Sequence, residues 1–230
     1  MYRDKKFIAV IPARGGSKRL PRKNILNLAG KPLVSWTIEA ALGSKYIDRV
    51  IVSSDYDEVL DVAANAGAET VKRPEYLGSD TATTYDAVIH SLEQYQNYDY
   101  IVLLQPTSPL RAAKHIDEAI ELLGQKSADA VVSVCEAEHN PLWTNILPAD
   151  GSMNGFMRDE IKNKRSQDLE IYYRLNGAIY ICKYEKLLNE KTFFVKENIY
   201  AYKMSRDVSV DIDEEIDFRL AELLMSCSKN

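Results

Sequence analysis

Apolar residues in this chain follow two rhythms that alternate from one end to the other. Short apolar runs bounded by charged or turn residues predict buried strands in "KFIAVIPA", "RVIVSS", "ETVKR", "DYIVLLQP", "ADAVVSVCE", "RLNGAIYICK" and "IYAYKMS". Between them lie segments of helical period. "PLVSWTIEAAL" puts Val34, Ile38, Ala41 and Leu42 on one stripe, and "TYDAVIHSLEQY" turns Val88, Leu92 and Tyr95 inward. "YDEVLDVAANAG" is a helix ended by Gly67, and "KHIDEAIELLG" one stopped by Gly124. A last helix, "DIDEEIDFRLAELLMS", presents Ile216, Leu220, Leu223 and Leu224 to the core. Buried strands alternating with helices predict an α/β fold, a mostly parallel sheet covered on both faces.

The alternation breaks after Glu138. Residues 139–173 are polar and rich in turn formers ("NPLW", "LPADGSMNG", "KNKRSQD"), which predicts an extended excursion or a hairpin pair. The expected organisation is therefore one domain over 1–230 with an inserted arm at 139–173. Alone, that arm buries little, so its expected use is dimerisation.

At 230 residues with 46% hydrophobic and 27% charged residues, the chain has the make-up of an ordinary globular protein. A net charge of -5 argues against general nucleic-acid binding. Cys135, Cys182 and Cys227 form no paired framework, and His90, His115 and His139 do not cluster. The only apolar run near the start is the five-residue "FIAVI", so neither a signal segment nor a membrane span is expected, and the predicted location is the cytoplasm.

Against that acidic background, "VIPARGGSKRLPRKN" carries five basic residues within ten positions: Arg14, Lys18, Arg19, Arg22 and Lys23. It follows a buried strand, where open α/β sheets bind ligands. Gly15 and Gly16 permit a tight turn that exposes amide groups, and the cations supply charge for a polyphosphate. Neither the Walker spacing nor the G-x-G-x-x-G fingerprint is present, which excludes a P-loop NTPase and a nicotinamide-dependent dehydrogenase. A nucleoside triphosphate is the ligand this loop predicts; a solvated charge run is the alternative.

Two further motifs carry chemistry. In "VDID", Asp211 and Asp213 alternate along an extended segment, so both side chains share a face. Their repulsion invites a hard cation, although Asp213 as the N-cap of the last helix is the plainer reading. "LLQPTSPLR" has the neutral Gln105 after its strand, followed by a polar turn of Thr107, Ser108 and Arg111.

"IPARGGSKRLPRKNILNLAGKPLVSWTIEAAL", "RPEYLGSDTATT", "LLQPTSPLR", and "RLNGAIYI" with "DIDEEIDFRLAE" occur in this order and together resemble the acylneuraminate cytidylyltransferases, the CMP-sialic acid synthetase family. The match runs through nearly the whole chain. The resemblance implies a three-layer Rossmann-like nucleotidyltransferase fold and the joining of CTP to a nonulosonic acid, with pyrophosphate leaving. Legionaminic and pseudaminic acid remain alternative substrates, and a non-catalytic nucleotide-binding paralogue remains an alternative altogether.

On the matching positions, the resemblance assigns the triphosphate to Arg14, Ser17, Lys23 and Asn24, with Lys23 and Arg14 catalytic. It sets Arg73 beside the cytosine base, where a guanidinium donates to the base's carbonyl oxygen. Thr84 contacts the nucleotide, and Asp80 buttresses that loop. Gln105 lies by the sugar acid, and Asn176 bonds a sugar hydroxyl. Tyr180, Phe193 and Phe194 line the sugar pocket, although aromatics of this kind are more often core. Arg165 or Arg174 meets the sugar carboxylate, and the resemblance implies that an Arg of this region reaches across a dimer from the partner's arm. Asp211 and Asp213 become ligands of a catalytic Mg2+.

Overall fold

The five residues from Phe7 to Ile11 are all completely buried in a computed structural model that describes residues 1–79 and 81–227. Asp80, expected to buttress a loop, lies outside the described residues. Alternation divides the first strand, β1 (Phe7–Pro12), between two cores: Phe7, Ala9 and Ile11 face one, Ile8 and Val10 the other.

Along the chain follow a short hairpin of β2 (Asn27–Leu28) and β3 (Lys31–Pro32), then α1 (Leu33–Leu42), β4 (Ile47–Ser54) and α2 (Asp57–Asn65). Next come β5 (Glu69–Lys72), α3 (Thr84–Leu92), β6 (Tyr100–Leu103), α4 (Ala113–Lys126) and β7 (Ala130–Glu136). The last elements are β8 (Tyr173–Lys183), α5 (Tyr184–Glu190), β9 (Ile199–Lys203) and α6 (Glu215–Cys227). Seven strands form one sheet in the order β5-β4-β1-β6-β8-β7-β9. Only β8 runs against the rest, pairing antiparallel with both β6 and β7.

Helices cover both faces, giving three layers. Val34 and Ile38 of α1, Val59 and Ala63 of α2, and Ile116 and Ile120 of α4 close the first core. Val88 and Leu92 of α3 and Leu187 of α5 close the second. A third cluster lies at the end of the sheet, where Ala221 and Met225 of α6 pack on Leu20, Leu28, Leu33 and Ile212.

Several expectations are corrected. Leu42 is exposed at the end of α1, while Val34, Ile38 and Ala41 are buried as expected. Gly124 does not stop α4, which continues to Lys126 and ends at Ser127 in the left-handed region. The last helix is rotated from its predicted face: Ile216 is 73% exposed, and Leu220 and Leu223 also face outward. Small Ala221 wins the inner position because α6 lies close against the hairpin and the basic loop. The hairpin β2–β3 and the short α5 have no counterpart in the predicted pattern.

Between β7 and β8 the described residues include no strand or α-helix, only single 3-10 turns at Pro141–Trp143, Asp159–Ile161 and Ser166–Asp168. The segment is an excursion, not a hairpin pair. Among the described residues no helix is long and apolar enough to cross a membrane.

Candidate active site

The basic loop leaves β1 at its carboxyl end and forms one wall of a cleft of about 550 Å³. Arg14, Ser17, Lys18, Arg19, Lys23 and Asn24 supply that wall. Arg73 and Leu77, after β5, and Thr83, Thr84 and Ala87, at the start of α3, form the second. Gln105, Pro106 and Thr107, after β6, and Asp213 close the remainder. Strand ends at the middle of an open α/β sheet create such a crevice because neighbouring connections diverge there.

Thr84 is presented by a reciprocal cap. The Asp86 amide donates to the Thr83 hydroxyl at 3.1 Å, and the Thr83 amide donates back to the Asp86 carboxylate at 3.2 Å.

The loop's own geometry differs from the simple amide cradle. Gly15 is needed because the Tyr56 ring lies against it: a Cβ there would stand 2.3 Å from the ring. Its amide donates to Asp55 Oδ1 at 3.0 Å. The Ser17 amide is turned back onto the Gly15 carbonyl at 3.1 Å. Two loop amides are thus spent within the protein, and it is the loop's side chains that face the cleft.

Leu20 pins the middle of the loop in the third apolar cluster. Arg22 takes a left-handed backbone (φ 56°), which turns the chain into the 3-10 segment Lys23–Ile25 and swings Lys23 inward. Lys23 is buried, and its ammonium donates to the Ile212 carbonyl and pairs with Asp213 Oδ1 at 3.2 Å. Arg19 reaches the other oxygen of the same carboxylate at 2.8 Å. Asn24 ties the loop to itself through the Arg14 carbonyl at 2.8 Å.

Asp213 is therefore an ion-pair partner of the loop and not the cap of α6. That duty falls to Asp217, whose carboxylate accepts the amides of Asp213 and Glu214 at 3.0 and 2.8 Å. Asp211 does not line the cleft. It lies beside Gly177, where a Cβ would stand 2.6 Å from Gln105 Oε1 and 3.4 Å from Asp211 Oδ2. Surrounding protein raises its carboxyl above the usual range, and the charge of Asp213 adds to that, while the Thr107 hydroxyl, Lys23 and Arg174 oppose it. The two carboxylates thus feel one another without pointing into one space.

At the other end of the cleft, Arg73 is 4% exposed. Desolvation lowers its pKa, Asp55 opposes that, and the nearby Arg14 cation adds to it. Asp55 Oδ1 lies 3.7 Å from an Arg73 terminal nitrogen, and Arg73 Nε is buried without a hydrogen-bond partner. Sequence reasoning misses Asp55. Its only signal is an acidic residue just past a strand that proves to be adjacent to β1.

The residues expected around the sugar divide. Gln105 is in the cleft, and Asp211 adjoins it through Gly177. Tyr180 is buried with Phe193 and Phe194 edge-on at 6.2 and 6.0 Å. Burial raises its hydroxyl pKa and the Asp211 charge raises it further, which puts that carboxylate in electrostatic reach. Phe193 is core, and the pocket contact expected of it is corrected to support of Tyr180. Asn176 is corrected likewise. It is completely buried, accepting from Ser133 at 2.6 Å and donating to Ser209 at 2.9 Å, so its polar groups are spent as a strut. Arg174 grips Glu138 through Nε and Nη2 at 2.9 and 2.6 Å. Arg165 is exposed in the excursion and paired with Asp168 at 3.1 Å, outside the cleft of its own chain.

Arg111 is structural. Its Nη1 donates to the carbonyls of Gln105, Ser108 and Ala178 at 3.1 to 3.3 Å, clamping the turn that carries Gln105 to β8. Complete burial depresses its pKa to about 9, and Nε and Nη2 find no partner, a cost of about 1–3 kcal/mol per group.

A family profile described as Cytidylyltransferase matches residues 8–228. The chain belongs to the cytidylyltransferase family. It is 42% identical over 219 residues to the N-acylneuraminate cytidylyltransferase of Streptococcus agalactiae serotype III (strain NEM316), covering 93% of this chain and 52% of the relative. The chain thus spans about half the length of the first relatives it matches. It is 38% identical to the CMP-N,N'-diacetyllegionaminic acid synthase of Legionella pneumophila subsp. pneumophila (strain Philadelphia 1), over 97% of this chain and 98% of that one. A CMP:2-keto-3-deoxy-manno-octonic acid synthetase complexed with CTP shares the fold, with a TM-score of 0.74 at 17% identity, covering 97% of this chain and all of the other.

For a cytidylyltransferase the question of a metal is decided by donors. Among the described residues no group of three or more His, Cys, Asp or Glu side chains converges. Asp211 and Asp213 are two hard-oxygen donors, but only Asp213 lines the cleft and it is held by Lys23 and Arg19, so a divalent cation shared by both requires those ion pairs to open and Asp211 to turn inward.

Proposed function

We propose that this chain couples CTP to the anomeric 2-hydroxyl of a nine-carbon nonulosonic acid, releasing pyrophosphate and the CMP-sugar. The observation that carries the reading is the single cleft in which the basic loop, Arg73, Gln105 and Asp213 meet.

Lys23 and Arg14 neutralise charge on the triphosphate, with Ser17 donating a hydrogen bond and Asn24 holding the loop's shape. As the sugar oxygen bonds to the α-phosphorus, the bond to the β-phosphate oxygen breaks, and loop cations stabilise the leaving pyrophosphate. A carboxylate at this end of the cleft takes up the hydroxyl proton. Mg2+ held by Asp211 and Asp213 would supply charge neutralisation at the phosphates. Lys23 must then exchange Asp213 for phosphate, since its ammonium is already engaged.

Cytosine offers adjacent acceptors at O2 and N3, whereas N3 of uracil carries a hydrogen. A guanidinium edge distinguishes the two, and Arg73 lines the cleft. Thr84 meets the nucleotide from the α3 cap. For the sugar carboxylate, the occupation of Arg174 by Glu138 favours Arg165 delivered by a second subunit.

We further infer one catalytic unit with residues 139–173 as its dimerisation arm. Ile146, 89% exposed, with Leu147, Met153 and Ile171 leaves apolar surface that a partner's copy would cover. Three free thiols, two of them buried, fit a reducing cytoplasm.

The test is pyrophosphate release with Mg2+, pairing CTP, UTP, ATP and GTP with sialic, legionaminic, pseudaminic and Kdo acids. Release with CTP and one nine-carbon acid is expected and names the substrate. CTP binding without release from any pair would leave a nucleotide-binding paralogue.

A further inference from the structure

We propose that Asp55 is a positioning residue that aims the Arg73 guanidinium and couples base selection to the phosphate loop. This rests on the cytidylyl reading above. Asp55 sits just past β4, the strand beside β1, and three observations converge on it.

Its Oδ1 accepts the Gly15 amide at 3.0 Å and lies 3.7 Å from an Arg73 terminal nitrogen, so one oxygen serves both the loop and the arginine. The backbone repeats the link: the Arg73 amide donates to the Ser54 carbonyl at 2.9 Å, and the Ala13 amide to the Ser53 carbonyl at 2.9 Å. The end of β4 therefore holds the phosphate loop and the strand exit bearing Arg73 from between them.

Arg73 needs such a partner. Its guanidinium is almost fully buried, desolvation and the Arg14 cation both disfavour its charge, and Asp55 is the opposing carboxylate. With that anion fixed on one side, the part of the guanidinium that lines the cleft is left for a base acceptor. Space around Asp55 is tight as well. A Cβ on Gly78 would stand 2.5 Å from Asp55 Oδ2, so the carboxylate is braced against backbone.

That bracing provides two independent perturbations. Asp55→Asn keeps the shape and an acceptor for the Gly15 amide but removes the charge. Gly78→Ala leaves Asp55 intact and pushes its carboxylate aside; Gly78 has no positive φ, so alanine adds no backbone strain. Equilibrium binding of CTP and of UTP, without sugar, is measured for the wild type and both variants alongside their melting temperatures.

The expected result is a roughly tenfold fall in the CTP-to-UTP affinity ratio in both variants, with melting within about 3 °C of wild type. A variant ratio equal to that of the wild type overturns the positioning role, whatever the loss of stability. A wild type that binds CTP and UTP alike overturns the cytidine reading itself and this role with it. Both outcomes are read from binding without pyrophosphate release, so a catalytic failure is kept separate from a positioning failure.

Discussion

Gly177 shows how much of this site depends on one missing side chain. Its φ of +73° and the 2.6 Å separation of a virtual Cβ from Gln105 Oε1 make any replacement doubly unfavourable. Alanine in a left-handed conformation costs about 1–2 kcal/mol, and the new methyl must also displace the Gln105 amide. Gly177→Ala is therefore expected to lower the melting temperature by several degrees and to raise KM for the sugar acid at least tenfold. KM for CTP should change less than threefold, because the methyl meets Gln105 and not the basic loop. Equal losses on both substrates in steady-state kinetics would remove Gln105 from the sugar side. The same scale explains why residue types alone mislead at Asn176: a polar side chain near a substrate site reads as a ligand until its partners are seen. Ser133 and Ser209 occupy it completely.

At the level of elements, β8 does most of the joining. It runs against its neighbours, carries Asn176, Gly177 and Tyr180, and receives the chain as it returns from the excursion. Arg174 at its start is held to Glu138, just past the end of β7, so one ion pair closes the base of the 139–173 segment. The Arg174 hydrogen bonds hold the Glu138 carboxyl down at about 2, against an ordinary 4.5. A depressed acid stabilises the fold above its unfolded pKa, and that contribution is lost as pH falls from 4.5 toward 2. Glu138→Gln should lower the melting temperature slightly at pH 7 and flatten its decline between about pH 5 and pH 3. Both partners are partly exposed, so the effect is at most about 1 kcal/mol. Parallel acid melts of the two proteins would show the difference; superimposable slopes would mean that the pair does not latch the segment.

For the molecule as a whole, the exposed apolar residues of the excursion lead to a prediction about assembly. Light scattering should report twice the 26.1 kDa chain mass. The double substitution Ile146→Asp and Leu147→Asp should return the monomer and raise KM for the sugar acid while CTP binding persists, since Arg165 would no longer arrive from a partner. A wild-type monomer that turns over normally would exclude the crossing arm. The layered α/β architecture was legible from the sequence because strand and helix periods are local properties of neighbouring residues. So was the basic loop that lines the cleft, whose charge density is contained in ten consecutive positions. Which face α6 buries was not legible, because Ile216, Leu220 and Leu223 satisfy helical periodicity as well as Ala221 and Met225 do, and only close packing against the hairpin chooses. Nor was the pairing of Asp55 with Arg73 and Gly15, or of Lys23 with Asp213, whose partners are far apart in sequence. Sequence alone determined the periods and the chemical types. Tertiary structure decided the partners, because desolvation and charge act through space and not along the chain.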